Sequence, residues 1–421
     1  MRLGDGPGDS LRGRLATPAL AASWLVLCAA CLDKPSDPGP TDRAPAADLF
    51  SARPGDEPLR IAATPSVVVG LDESLPLDGS IGAVFFGDGI AIANRMSREV
   101  LILDAAGGLL SRHGRRGEGP GEYINLSGIA RHADGLITWD SNQFRVTLLD
   151  ASGDYVGETS LRRRGRVRTE IVGAFGNSVL LETWQTGFRG DGFVGPMEIR
   201  QPVVYEIARL SDGEVVFEYT LPGEEQWATR EASSAGGVTH GGMGVIFGRT
   251  AVSAVTDRYA YLATTDSITF TRSDEAGTAV EVSFEQPREH AEAAWVRFVR
   301  DTTQAHLESI GPGQIVIGGR NFMLHMREFR LRLLEDLPGR PTLPSFSDMK
   351  GGADGLLWIR EYPDPLQDQA AWVGFNEAWE RMKRIVMPPR LHVLDISEDR
   401  VLVRAKGALD ETLVQVYPIE R

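Results

Sequence analysis

The chain has 421 residues, of which 42% are hydrophobic and 24% are charged, and its formal net charge at pH 7 is −14. This composition is typical of a soluble globular protein with enough apolar residues to fill a large core. The acidic excess argues against nucleic acid as a partner, because phosphate binding requires a basic face. Both cysteines, Cys28 and Cys31, lie near the N-terminus, which leaves the rest of the chain without a disulfide, a cysteine-based metal site or a cysteine nucleophile.

Residues 1–31 have the pattern of an export signal. Three arginines in the first 14 residues precede an uncharged run, 15–32, in which the small pair Ala29-Ala30 stands directly before Cys31. A basic segment followed by an apolar one is typical of a secretory signal. The segment also resembles a bacterial lipoprotein signal, although Cys28 stands where leucine is usual. The resemblance implies an exported protein that is lipidated on Cys31 and held at a membrane; a plain secretory signal and an uncleaved anchor are the alternatives.

The next segment, 32–58, is rich in Pro, Asp, Ala and Gly, and it shows no apolar periodicity. Such a composition favours an extended, flexible tether. We therefore expect three parts: a lipoprotein-type signal peptide at 1–31, the tether at 32–58 and one folded domain at 59–421.

The folded part contains the same strand pair twice, 46 residues apart. Residues 88–107 and 134–153 align without a gap and are identical at seven of twenty positions, including an opening Asp-Gly and a closing Asp-Ala-x-Gly. A repeat in the mid-forties, made of short strands and tight turns, is the mark of a β-propeller blade. These two copies predict blade one at about 81–114 and blade two at about 124–160.

Later strand pairs extend the pattern to six blades, so the predicted fold is an all-β, six-bladed β-propeller. Each pair is a short alternating or apolar run bounded by turn residues. The remaining pairs are 178–181 with 203–210, 259–263 with 267–271, 356–359 with 371–375, and 400–403 with 412–417. An early strand at 59–68 has no partner nearby, and pairing it into the last blade would remove both open edges of the ring.

One insertion, at about 287–335 between blades four and five, has the period of helices rather than strands. Trp295 and Val299 fall on one face of a predicted helix at Pro287–Ser309. Phe322 and Phe329 do the same in a second predicted helix at Asn321–Leu334. This helical hairpin is expected either to pack as a cap over the ring or to act as a lid or a docking surface.

A glycine-rich segment between blades one and two carries a family resemblance. Gly117-Glu118-Gly119-Pro120-Gly121-Glu122-Tyr123 resembles a signature of bacterial six-bladed β-propeller lipoproteins, which are themselves similar to NHL-repeat and TolB-like propellers. The segment 357–362 is similar to a later-blade pattern of the same proteins. The resemblance implies a propeller at the cell surface. It leaves activity open, because some NHL-like relatives are lyases or lactonases and others only bind.

Propeller geometry predicts which polar residues share a face. When four antiparallel strands run a to d from the axis outward, the b–c loops and the crossings from strand d to the next strand a emerge on the same side. Loops on a rigid scaffold commonly carry function, so this face is the candidate ligand-binding surface. The predicted residues are Asn94, Arg95, Arg115, Glu118, Glu122, Asp140, Asn142 and His240.

Several of these residues also have a purely structural alternative. Arg115 and Glu122 can pair with each other and pin the crossing, and Asp140 and Asn142 can form Asx turns. His240 is the best candidate for acid–base chemistry, because imidazole titrates near neutral pH, but a solvated loop histidine is its alternative.

The expected function is a binding or interaction module of the cell envelope. We expect a monomer that binds an envelope protein, a small molecule or a glycan and is held at a membrane by its lipid. The chain lacks a His-Glu-x-x-His zinc motif, a Gly-x-Ser-x-Gly elbow and the lysine of a phosphate loop. The rival is a lactonase-like hydrolase or a lyase with a funnel site; it could use a divalent cation such as calcium, which no motif supports. A purely structural envelope component is the third possibility.

Overall fold

Short runs of apolar residues separated by Gly and Asp turns give a chain that is nearly all β-strand. The computed structural model describes residues 42–43, 49–50, 57–71, 75–77, 82–162, 167–185, 195–232, 238–285, 289–311, 316–317, 320–407 and 411–421. The strands in these ranges are β1 (Asp42–Arg43), β2 (Leu59–Ile61), β3 (Val67–Val69), β4 (Gly82–Phe86), β5 (Gly89–Asn94), β6 (Glu99–Leu103), β7 (Leu109–His113), β8 (Leu126–His132), β9 (Gly135–Asp140), β10 (Arg145–Leu149), β11 (Tyr155–Ser160), β12 (Val167–Phe175), β13 (Ser178–Gln185), β14 (Met197–Arg209), β15 (Val215–Ala232), β16 (Val238–Gly244), β17 (Ala251–Val255), β18 (Ala260–Thr264), β19 (Thr269–Ser273), β20 (Ala279–Ser283), β21 (Val316–Ile317), β22 (Arg320–Asn321), β23 (Asp348–Gly351), β24 (Leu357–Arg360), β25 (Ala370–Phe375), β26 (Arg381–Met387), β27 (His392–Ile396), β28 (Arg400–Lys406) and β29 (Thr412–Glu420). Two helices, α1 (Ala293–Ser309) and α2 (Phe322–Glu335), lie between β20 and β23 in chain order.

The strands build a β-propeller. Antiparallel sheets run in the orders β4-β5-β6-β7, β8-β9-β10-β11, β12-β13-β14-β15-β16 and β17-β18-β19-β20, and a nine-stranded sheet contains β23-β24-β25-β26 and β27-β28-β29-β3. The first strands of successive series, β4, β8, β12, β17, β23 and β27, each contact the next one in this order, and β27 contacts β4. The innermost strands therefore surround a common axis.

Strands in the middle of a sheet are apolar on both faces because a neighbouring sheet covers each face. Every residue of β5 is buried. Ile90 and Ile92 pack against Leu402 and Val414 of the last strands, whereas Ala91 contributes to a cluster shared with β8 and β9. The near-continuous apolar runs in the sequence thus follow from burial on both sides.

The ring closes through strands from the two ends of the chain, which confirms the predicted pairing. β3 pairs antiparallel with β29, with Val69 opposite Val414. β2 lies between β26 and β29 and joins two neighbouring sheets. Closure of this kind leaves the last sheet without an open edge on the side that β3 covers.

Both predicted helices form. Trp295 and Leu307 of α1 and Leu334 of α2 are buried in one cluster with Ile246 and Phe247. These helices follow an outermost strand and precede an innermost one, so they stand on the face that carries the b–c loops and the d–a crossings. We call this the crossing face.

A second structure rises on the crossing face, formed by the ends of β14 and β15 together with β16. Met197–Arg200 of β14 pairs with Glu225–Ala228 of β15, and the end of β15 pairs with β16. We call it the arm. A Cβ on Gly241 would lie 2.5 Å from the Phe329 ring of α2, so only glycine permits this close approach. Arg340, which follows α2, forms an ion pair with the arm, because its Nε lies 2.8 Å from an oxygen of Glu225 on β15.

Part of the segment expected to be a tether packs against the propeller. Asp42–Arg43 pairs in parallel with β20, and Leu49 is 6% exposed within the core cluster between β17–β20 and β23–β26. The signal-like segment 1–31, with Cys31, lies outside the described residues. Within the part of the chain that is described, neither helix is long and apolar enough to cross a bilayer.

Candidate functional site

Predicted crossing-face residues from the first two blades lie close together, but their charged groups bind other groups of the protein. Arg115 lies 2.6 Å from the Oε1 atom of Glu122, and the backbone N–H of Gly119 donates to the other carboxylate oxygen at 2.9 Å. The Gly119 N–H and the Arg115 guanidinium lower the pKa of Glu122. Glu122 is thereby fixed as the closing contact of its own loop.

Asp140 is fully buried and acts as an anchor for two loops. Its Oδ2 accepts the backbone N–H groups of Ile124 and Asn125 at 2.6 and 3.1 Å. Its Oδ1 accepts those of Asn142 and Gln143 at 2.9 and 3.0 Å. The four bonds satisfy the carboxylate, which matches the Asx-turn alternative and joins the crossing to the b–c loop of the second blade.

Arg145, a residue that the sequence analysis did not select, holds the glycine-rich crossing from beneath. Its guanidinium donates to the backbone carbonyls of Glu118, Gly119 and Glu122, and it lies 3.2 Å from Glu158. The side chain is 7% exposed. A charged residue at the start of an otherwise apolar strand is the sequence signal that could have identified it.

The other predicted residues have local partners or point outward. Asn94 is 4% exposed and donates to the carbonyl of Pro76 at 2.9 Å. Arg95 donates to the Asn125 amide oxygen at 2.9 Å, so the two b–c loops and the crossing form one cluster. Glu118 and Asn142 are exposed.

The structure describes the backbone of His240 only. It lies on β16, opposite Arg230 of β15, so it belongs to the arm rather than to the crossing loop that the sequence predicted. Its side chain, and the preceding Gly236-Gly237, are outside the described part of the chain. The acid–base role of His240 therefore stays a prediction.

A polar cavity of about 190 Å³ lies on the propeller axis. Each innermost strand, β4, β8, β12, β17, β23 and β27, contributes lining residues, most of which are small or apolar. The polar side chains in the lining are Arg131, Ser253, Thr256, Asp257, Lys350 and Asp395. A concave site with few polar groups on a rigid ring is a typical place for a small ligand.

An ion pair in this cavity joins two residues that are far apart in the sequence. Arg131 contacts Asp395, whose side chain is 2% exposed. Asp395 also accepts the N–H groups of Phe85 and Ile396, each at 2.9 Å. Burial raises the pKa of Asp395, and Arg131 and the two N–H groups act against that rise by stabilising the carboxylate.

Another carboxyl, the half-buried Glu182 on β13, lies beside the cavity. The Ser253 hydroxyl, which belongs to the lining, donates to it at 3.4 Å. Burial raises the pKa of Glu182 to about 7, and the nearby Asp348 and Glu170 add to the rise. Burial and Glu182 also raise the pKa of Tyr205, whose hydroxyl approaches both groups without a well-aligned hydrogen bond. Charged residues inside apolar strands are the signal that could have identified both Asp395 and Glu182.

Among the described residues, no three His, Cys, Asp or Glu side chains gather into a group that could hold a metal ion. No known protein family and no curated protein matches the sequence.

The chain does match solved structures at low similarity. A member of the DUF4221 family from Bacteroides vulgatus has a TM-score of 0.46 and 8% identity, over 86% of this chain and 99% of that one. A virginiamycin B lyase from Staphylococcus aureus has a TM-score of 0.33 and 8% identity, over 81% and 96%. The calcium-binding protein regucalcin from Agrobacterium tumefaciens has a TM-score of 0.29 and 11% identity, over 86% and 95%. Such low identities and TM-scores give no information on function.

Proposed function

We propose that this protein is an exported, lipid-anchored, six-bladed β-propeller that acts as a binding module of the cell envelope. The succession of six innermost strands around one axis supports the blade count. The signal-like segment 1–31 and Cys31 support export and anchoring. The partner is an envelope protein, a small molecule or a glycan, and the net charge of −14 argues against nucleic acid.

The lining of the axial cavity is the observation that carries the binding role. It contains two carboxylates, Asp257 and Asp395, and neither an imidazole nor a side-chain amide. Three or more acid, amide or imidazole groups that converge on the axis would favour a hydrolytic or lyase site built from several blades. Hydroxyls, cations and backbone groups suit recognition of a ligand instead.

Filling the cavity tests this role. Ala174 lines it from β12, so Ala174→Leu should remove space for a ligand, whereas Ala276→Leu changes an exposed turn residue by the same volume. We expect at least one compound from a panel of carboxylates, phosphates, sugars and amines to raise the melting temperature of the wild type and of Ala276→Leu, but not of Ala174→Leu. Equal shifts in all three proteins would place binding elsewhere.

The anchor is tested separately in the full chain. Wild type should incorporate a radiolabelled fatty acid and sediment with membranes, whereas Cys31→Ser should do neither, and Cys28→Ser should behave as wild type. Labelling that persists in Cys31→Ser would contradict lipidation at this residue.

A hydrolase or lyase is the second candidate, and Glu182 is the observation that favours it. A carboxyl with a pKa of about 7 beside a hydroxyl is suited to general acid–base chemistry. In that case lactone or ester substrates would turn over with wild type and Glu170→Gln but not with Glu182→Gln. A bound divalent ion whose removal by a chelator lowers the melting temperature would favour the metal-dependent form of this candidate.

A further inference from the structure

Two adjacent blades present a group of cations at the crossing-face end of the axis. His392 begins β27, and Arg404 lies opposite it on β28. On the neighbouring blade, Asp348 begins β23 opposite Arg360 of β24, and Lys350 follows on the same strand. Because β23 and β27 are innermost strands in contact, these side chains lie near one another at this end of the axis, and Lys350 also lines the axial cavity.

These cations are short of partners. Among the described residues, neither the Lys350 side chain nor the Arg404 side chain has a hydrogen bond or an ion pair, although both residues are half-buried. Arg360 donates one bond, from Nη2 to the carbonyl of Pro389 at 2.7 Å, while its Nε is buried without an acceptor. Asp348, a carboxylate beside the group, accepts the backbone N–H of Met349. Partly buried charges are normally paired, so the group has unused capacity for an anion.

The electrostatic state of His392 agrees with that view. Its recess in the protein and the neighbouring Arg404 and Lys350 lower the pKa of His392 to about 4, with Arg360 acting in the same direction and Asp348 against it. The imidazole is therefore neutral at pH 7, and its N–H can donate to a ligand on its solvent-exposed side. A local excess of positive charge is notable in a chain whose net charge is −14.

We propose that His392, Lys350, Arg360 and Arg404 form a binding site for a small oxyanion, a carboxylate or phosphate group, at the crossing-face end of the propeller axis. Guanidinium and ammonium groups form charge-assisted hydrogen bonds with such oxygens, and bidentate pairing by arginine adds geometric selectivity. Asp348 lies beside these cations and Glu182 on β13 lies near Asp348, so both carboxyls disfavour an anion that extends toward β13. The inference rests on the proposed binding function for its location and adds the chemical class of the ligand.

Calorimetric titration of the full chain with inorganic phosphate and, separately, with citrate tests the site. We expect saturable binding of at least one of them, roughly tenfold or more weaker in Arg404→Gln and in Lys350→Gln. Arg258→Gln is the matched control, because it removes the same charge from an exposed side chain at an a–b turn on the opposite face. The tighter of the two probes identifies the anion class.

The imidazole provides a second readout that a merely structural role would not produce. In NMR titrations, with His392→Gln used to assign the signal among the seven histidines, a bound anion should raise the pKa of His392 in wild type and in Arg258→Gln, but not in Arg404→Gln. Equal anion affinities in wild type and Arg404→Gln, or an unchanged His392, would overturn the inference. If neither anion binds while a neutral or cationic compound still binds in the cavity, the oxyanion site is wrong and the proposed function stands. If nothing binds, both are wrong.

Discussion

At the scale of single residues, charge on the crossing face serves mainly to shape loops. Asp140 takes four backbone N–H groups, and Arg145 covers three carbonyls of the glycine-rich crossing. Glu122 completes the same loop through Arg115. We therefore interpret the glycine-rich crossing, Gly117–Tyr123, as a rigid connection between two blades, since Glu122 and three of its carbonyls already have partners.

Asp140 offers a direct test of that interpretation. Asp140→Ala would leave several buried N–H groups without an acceptor, so we expect it to lower the free energy of unfolding by about 2–4 kcal/mol. Asp150→Ala, which removes an exposed turn carboxylate with two such bonds, should cost less than about 1 kcal/mol. Urea denaturation of both variants measures the difference. Similar losses would show that Asp140 is an ordinary turn residue.

Glu182 predicts a pH dependence of stability. Its pKa in the folded protein is about 7, above the usual 4.5, so the folded state binds the proton more tightly than the unfolded state. The stabilisation is complete below about pH 4.5 and is lost as the pH rises toward 7, by up to about 3 kcal/mol. Glu182→Gln should remove that decline, whereas Glu158→Gln should keep it. Unfolding curves recorded between pH 4.5 and 8 decide the matter; a decline that persists in Glu182→Gln would assign it to other groups.

At the scale of elements, a single turn recurs at the hairpins between the third and fourth strands of the blades. Asp104 accepts the N–H groups two and four residues later, at 2.9 and 2.8 Å, and Asp274 repeats the pattern at 3.0 and 2.8 Å. The residue three positions on has a positive φ, 85° at Gly107 and 84° at Gly277. Glycine takes this conformation without strain, which explains the Asp-x-x-Gly spacing.

One copy of this turn has Trp379 at the glycine position, with a φ of 62°. The ring packs against Phe270 and Phe284, with centroids 4.9 and 5.3 Å away. A positive φ costs about 1 kcal/mol in a non-glycine residue, but truncating a packed tryptophan costs about 3 kcal/mol or more. We therefore expect Trp379→Gly to lower the melting temperature despite relief of the backbone, while Gly277→Trp lowers it through strain. A more stable Trp379→Gly protein would show that backbone strain is the larger effect.

At the scale of the whole molecule, stability depends on closing the ring with β3. Val67 and Val69 are 8% and 5% exposed and face the core, while Val68 between them is 36% exposed. The three residues give the propeller its final strand beside β29.

This alternation supplies a matched pair of variants. Val69→Asp would bury a carboxylate against β29 and should lower the free energy of unfolding by about 3–5 kcal/mol. Val68→Asp places the same group toward solvent and should cost less than about 1 kcal/mol. Thermal unfolding measures both, and hydrogen exchange should show the greatest loss of protection in β28 and β29 for Val69→Asp. Equal effects of the two variants would contradict ring closure through β3.

Local patterns predicted the strands, the two helices and the pairing of the chain ends, because each depends on neighbours in sequence or on the need to cover an edge. Strand order, which fixes where loops emerge, also predicted that Arg95, Glu122 and Asp140 lie on one face. The pairing of Arg115 with Glu122 and the turn at Asp140 were among the predicted structural alternatives, but the contact from Arg145 was not predicted. Arg145 holds the crossing from another strand, and nothing in its immediate sequence specifies that contact.

The amino-acid sequence by itself determined the repeat, the turns and the two helices, because apolar spacing and glycine positions act over a few residues. Only the tertiary structure decided what lies on the axis. Arg131 and Asp395 are 264 positions apart, and His392 meets Lys350 through the contact of two blades. A propeller takes one short strand from each blade to build its centre, so residues that are close together on the axis are far apart in the sequence.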